Sequence, residues 1–171
     1  MTPTRRDMLR TTSAVALTAA AYALHSPFGT RAARAAGAFE ITKSEDDWKK
    51  LLTPAQFAVL RKHGTERPFS SPLEGEHRKG TFACAACDLA LYDAATKFES
   101  GTGWPSFSDH LANSVVTDTD YSLVWPRTEV SCRRCGGHLG HVFKDGPPPT
   151  GLRYCMNGVA MTFHPATVSG T

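Results

Sequence analysis

Two cysteine pairs at identical spacing, Cys84-Ala85-Ala86-Cys87 and Cys132-Arg133-Arg134-Cys135, constrain this chain more than any other feature. A turn with two intervening residues lets both sulfurs face one ion. Two such knuckles complete a tetrahedron around zinc, with each sulfur about 2.3 Å from the metal. Gly136-Gly137 gives the backbone freedom for the second turn. The pairs stand 44 residues apart, longer than a compact zinc ribbon, so sheet must lie between them and the metal must tie distant parts of the chain together. Four thiolates leave no open coordination position, which makes such a zinc structural. Two other readings stay open from the residues alone: two disulfides, which an exported chain can form, and a redox-active pair within one knuckle.

The fifth cysteine, Cys155, has no counterpart, and an odd cysteine is either buried and inert or chemically active. In an extended strand through Arg153-Tyr154-Cys155-Met156-Asn157, residues Arg153, Cys155 and Asn157 share one face. A guanidinium beside the thiol favours the thiolate and lowers its pKa from about 8.5. Asn157 is suited to hydrogen-bond a substrate oxygen. His138-Leu139-Gly140-His141 places two imidazoles just after the second knuckle. In a regular strand, positions three apart face opposite sides, and a bulge at Gly140 is one way to turn both inward. Core, surface, metal and acid-base roles all stay open for these two histidines. Trp104 sits in Gly101-Thr102-Gly103-Trp104-Pro105, a loop stiffened by proline, where core and substrate-wall roles compete.

The rest of the chain reads as one domain of ordinary globular composition, with 41% hydrophobic and 20% charged residues among 171. Ser44 suits the cap of a short helix through Trp48, Leu51 and Leu52. Thr53-Pro54-Ala55-Gln56 predicts a second helix with a reciprocal cap, an apolar edge of Phe57 and Leu60, and an end at Gly64. From Gly80 onward, 81–83, 89–92, 121–124 and 159–163 read as strands bounded by turn residues, and 146–151 as a proline-rich loop. The expected architecture is a small helical N-terminal layer against antiparallel sheet.

The first 35 residues read as an address. Arg5-Arg6 precedes an uncharged, mildly apolar run over 11–24, and Ala33-Arg34-Ala35 offers a small-x-small cleavage pattern. The run is shorter than the roughly 20 residues needed to span a bilayer. The segment resembles a bacterial twin-arginine export signal, which carries folded proteins and so permits metal loading before export. It holds five arginines against one aspartate, a net +4, and leaves a body near −1 that gives no support to nucleic-acid binding. The expectation is a leader over 1–35, a single domain over 36–171, no lasting membrane anchor, and a periplasmic or secreted, monomeric product.

Taken together, the motifs resemble the methionine-R-sulfoxide reductases, the B class of peptide-methionine sulfoxide reductases. The matching segments are the two knuckles, 100–107, His138 through Phe143, Asp145-Gly146-Pro147, and Thr150-Gly151 through Asn157, and the likeness covers about 44–165. The resemblance implies a mainly β fold of two antiparallel sheets with short N-terminal helices, stapled by a four-cysteine zinc site remote from the active site. The implied activity is reduction of the R epimer of methionine sulfoxide in oxidised proteins, with structural zinc and no organic cofactor. It implies Cys155 as nucleophile, His138 and His141 as proton handlers, Asn157 as an orienting group, Trp104 as the wall for the substrate methyl, and Arg153 as support for the thiolate. Many members carry a resolving cysteine where this chain has Thr102. The expected cycle therefore has no intramolecular disulfide, and a thioredoxin-like or other external thiol reduces the sulfenic acid. The rival readings are a non-catalytic zinc-scaffolded binding module and a zinc hydrolase, the second of which needs an open metal position.

Overall fold

A computed structural model describes residues 39–167. The leader reading of 1–35 lies outside them. Among the described residues, no helix is long and apolar enough to cross a membrane.

The local signals in the N-terminal part act as their chemistry requires. Ser44 accepts from the Asp47 amide and starts α1 (Glu45–Leu51). Thr53 and Gln56 form the reciprocal capping box of α2 (Pro54–Lys62), with Pro54 in the first turn. Two details differ from expectation. Leu51 faces solvent while Trp48 and Leu52 are buried. His63, not Gly64, takes the left-handed turn that ends α2, and the Gly64 amide donates to the Ala58 carbonyl.

Nine strands follow among the described residues, all paired antiparallel. They are β1 (Gly80–Cys84), β2 (Ala90–Asp93), β3 (Lys97–Phe98), β4 (Ser106–Phe107), β5 (Val115–Asp120), β6 (Arg127–Cys132), β7 (His138–Phe143), β8 (Arg153–Met156) and β9 (Met161–Pro165). One sheet has the order β2-β1-β9, the other β3-β4-β8-β7-β6-β5. Aromatic contacts join them: Phe107 of the larger sheet stacks on Tyr92 at 4.3 Å and meets Phe82 edge-on at 4.9 Å. The fold is thus mainly β with two antiparallel sheets and short N-terminal helices, as the family resemblance implied.

One strand expectation is overturned, and another is trimmed, since Gly158–Ala160 form a single 3-10 turn and the last strand begins at Met161 rather than at residue 159. Residues 121–124 are the tip of the β5–β6 hairpin, and Tyr121, Leu123, Val124 and Trp125 are exposed there. Strand propensity misleads because apolar residues stand where no second layer covers them.

Candidate active site

The four knuckle cysteines converge as their spacing demands. Cys84 closes β1, Cys132 closes β6, and all four sulfurs lie within 4.8 Å of one another. The Cys84–Cys135 sulfurs are 3.7 Å apart and the Cys87–Cys132 sulfurs 3.5 Å. A tetrahedron with metal–sulfur bonds of about 2.3 Å has edges of about 3.8 Å, whereas a disulfide needs about 2.05 Å. The donor set therefore fits one metal ion, all five cysteines are free of disulfides, and the closest pairs cross from one knuckle to the other. Arg61 of α2 donates to the Cys135 carbonyl at 2.8 Å and to its sulfur at 3.2 Å, while its guanidinium lies 3.8 Å over Trp48. Both helices are thereby fixed onto the cluster.

Cys155 stands apart from that cluster, on β8. The strand alternates as its period of two requires: Tyr154 and Met156 are buried, and Arg153 and Cys155 face the more open side. Cys155 pairs with Ser106 of β4 and with His141 of β7. The β6–β7 pairing shifts between Val130 and Ser131, and the extra residue on β7 is Leu139. This bulge brings both histidine rings to one side, with centroids 5.4 Å apart. Gly140 is required for close approach: a Cβ there would lie 2.1 Å from the Cys155 carbonyl oxygen.

A cleft of about 120 Å³ opens over the Cys155 sulfur, lined by Trp104, His141, Asn157, Arg127, Phe143 and Thr65 among others. Small-molecule sites are usually about 300–1,000 Å³, so this one suits the end of a single side chain. Trp104 is held by its indole N–H, which donates to the Glu66 carbonyl at 3.2 Å. Gly103 beside it has φ 86°, and any Cβ would meet the Phe69 amide at 2.8 Å. Asn157 accepts from the Glu66 amide at 2.9 Å and donates to the Leu139 carbonyl at 3.0 Å, so its amide joins three segments of the wall.

His141 and His138 are placed differently. His141 borders the cleft, and its Nε2 lies 2.9 Å from Asp120 Oδ2. Arg127 donates to the same oxygen at 2.7 Å. Burial alone would raise the Asp120 carboxyl, but hydrogen bonds from Ser122, His141 and Arg127 outweigh it and hold it well below the usual range. An ionised Asp120 fixes the tautomer with the proton on Nε2 and leaves Nδ1 as an acceptor. Burial pushes His141 down, and the Asp120 bond only partly opposes this, with Arg127 and His138 lowering it further. His138 is buried behind, outside the cleft lining. Its Nδ1 lies 2.7 Å from Glu129 Oε1, which also meets His63 Nδ1 at 2.5 Å. Those are hydrogen-bond distances, shorter than two ligands of one metal ion would adopt.

The thiol itself departs from expectation. Burial raises the Cys155 pKa above its ordinary value, and the Thr102 hydroxyl at 3.9 Å and the Arg153 charge only partly offset it. Arg153 is committed elsewhere: its guanidinium grips Asp145 through two bonds of 3.0 and 2.9 Å and stacks at 4.5 Å on Phe143. Arg153 favours the thiolate as expected, but its charge is already paired and desolvation outweighs it, so the balance at Cys155 lies toward the thiol.

Asp120 and Arg127 were not foreseen. They lie 21 and 14 residues before His141, and only the hairpin register brings them to it. A pattern of local spacing contains no trace of that contact.

A thiol and a carboxylate-anchored imidazole bordering one small cleft, on a cysteine-stapled β scaffold, are the equipment of a thiol-dependent enzyme. The chain belongs to the SelR domain family, whose model matches residues 52–165. Among its relatives is the peptide methionine sulfoxide reductase MsrB of Agrobacterium fabrum, 52% identical over 74% of this chain and 94% of that one. The MsrB proteins of Methanosarcina barkeri and Pseudomonas putida strain F1 are 56% and 50% identical, over 72% and 74% of this chain and 87% and 97% of theirs. A solved structure of the Mis18 "Yippee-like" domain matches 53% of this chain and all of that one at TM-score 0.41 and 19% identity, too slight to bear on fold or function.

Proposed function

We propose that this protein reduces the R epimer of methionine sulfoxide in oxidised proteins, with Cys155 as nucleophile. The observation that carries this is the Cys155 thiol facing His141 and Trp104 in a cleft sized for one side-chain end. The MsrB relatives support the same reading.

The resting pair of thiol and neutral imidazole holds the one proton that the first step needs. His141 Nδ1 takes the Cys155 proton as the sulfur attacks the sulfoxide sulfur, then returns it to the departing oxygen. The substrate's sulfur–oxygen bond breaks, the protonated oxygen bonds to the Cys155 sulfur as the transient bond between the two sulfurs breaks, and the products are a Cys155 sulfenic acid and methionine as the reduced thioether. Two external thiols then reduce the sulfenic acid, releasing water and forming a disulfide between themselves. Only the R epimer sets its methyl against Trp104 while its oxygen faces His141. Arg153 supports charge developing on the sulfur, Asn157 holds the wall, and His138, tied to Glu129, backs His141 edge-on.

Thr102 occupies the position of the resolving cysteine found in many relatives, and the other four cysteines are engaged with one another. Reduction therefore comes directly from a thioredoxin-like or other thiol donor. Cys84, Cys87, Cys132 and Cys135 hold zinc, which supplies cross-linking and no chemistry at the cleft. The arginine pair and apolar run of the leader support export of the folded protein, and the periplasm or cell exterior as its place of work.

Trapping the intermediate tests this reading. One equivalent of an R-sulfoxide peptide without reductant, then dimedone, gives one methionine and one dimedone adduct, on Cys155 by mass spectrometry. An adduct elsewhere, or an intramolecular disulfide containing Cys155, contradicts it.

A further inference from the structure

The tip of the β5–β6 hairpin carries four of the exposed large apolar side chains among the described residues. Val124 is 90% exposed, Trp125 79%, Tyr121 76% and Leu123 59%. Four large apolar side chains within five residues are costly to leave in water and mark an interaction surface. Their position says what they meet. The hairpin leaves the sheet at Asp120 and returns at Arg127; these two residues are bonded to each other, Asp120 is bonded to His141, and Arg127 itself lines the cleft. The tip is therefore a direct continuation of the cleft rim. A polypeptide with one side chain in the cleft extends about 3.3 Å per residue, so its next few residues reach the tip.

We propose that this apolar tip docks the unfolded, apolar segments that flank an oxidised methionine in damaged proteins. The inference rests on the reductase reading given above. Methionine is chiefly a core residue, and its oxidation puts a polar group where packing was apolar. The chains that expose such a residue also expose its apolar neighbours. Trp, Leu and Val on a loop offer adaptable contact without demanding one sequence. The charge pattern disfavours a lipid surface: Asp118 and Asp120 flank the tip, and Arg127, the basic residue at its base, is neutralised by Asp120. An anionic membrane surface attracts unpaired basic residues instead.

The test compares the parent with L123S/V124S/W125S, using dithiothreitol as donor so that no protein reductant takes part. The substrates are an unfolded, peroxide-oxidised protein such as carboxymethylated casein and the small N-acetyl-methionine-R-sulfoxide. The expected result is a loss of about tenfold or more in kcat/KM on the protein, carried mainly by KM, with the small substrate changed by less than about twofold. Unchanged turnover of both substrates, or equal loss on both, overturns the proposal. So does a loss seen only when a thioredoxin-like protein replaces dithiothreitol, or wild-type sedimentation with anionic vesicles that the variant lacks. Turnover of the small substrate by the parent reports the reductase reading alone, and its absence would overturn both together. Unchanged circular dichroism and melting temperature in the variant separate docking from folding, and W125S alone, expected to show a smaller loss with the same selectivity, serves as the second variant.

Discussion

At the scale of single residues, the proposed mechanism turns on where one proton rests. Burial raises Cys155 and lowers His141, so the free enzyme holds a thiol and a neutral imidazole. Asp120 is the group that makes that imidazole useful, since its carboxylate fixes which nitrogen is free. Asp120 also raises His141, so its removal depresses the histidine further. On the proposed mechanism the neutral histidine is the competent form, and activity is lost as pH falls through its pKa. Asp120→Asn therefore moves the acid limb of the kcat/KM profile to lower pH and reduces the plateau by about 10²-fold, the lower range for losing a positioned acid-base group. A pH profile on a small sulfoxide measures both, and an unmoved acid limb contradicts the assignment. Arg153 and Cys155 were legible as one strand face because alternation is local, whereas β8 ends at Met156 and Asn157 joins the cleft wall from the turn that follows. The protonation state of Cys155 was not legible, because burial and the Arg153–Asp145 pair are products of tertiary packing.

Among the elements, the β7 bulge and the β5–β6 hairpin do most to build the site. The bulge turns two histidines three apart toward one side, and Gly140 lets β7 approach β8 closely enough to set His141 opposite Cys155. Gly140→Ala places a methyl against a backbone oxygen that cannot move aside. The expected cost is about 1–3 kcal/mol, toward the upper end for a backbone obstacle, together with lost turnover. Urea unfolding measures it, and a neutral effect would mean that the close approach is not needed. The bulge was readable in outline because glycine between two histidines is a local signal. The hairpin was misread. Tyr121 to Val124 carry the stronger strand composition, while the true strands on either side, VVTDTD and RTEVSC, interleave polar residues for their exposed face. Composition marked the apolar tip and missed its flanks.

Across the whole molecule, one four-cysteine cluster joins β1 of the smaller sheet to β6 of the larger, and Arg61 adds α2 to the same point. Structural zinc in small peptides contributes about 10–16 kcal/mol to folding, comparable to or above the usual 5–15 kcal/mol stability of a domain. Stripping the metal from a Cys155→Ser background with a thiol-reactive mercurial should release one zinc per chain. It should also lower Tm by at least about 10 °C or unfold the protein outright. Release without a change in Tm contradicts a structural role. This staple was the most legible feature of the chain, since ligand spacing within each turn is fixed by covalent geometry. Which sheets it joins was not, because that depends on strand order. The account as a whole stands on Cys155 acting on one epimer. The direct measurement is turnover of separated R and S methionine sulfoxide in a peptide, with dithiothreitol as donor, for the parent and Cys155→Ser. Turnover of the R form alone, abolished by the substitution, is the predicted result; turnover confined to the S form, or surviving the loss of the thiol, would contradict it.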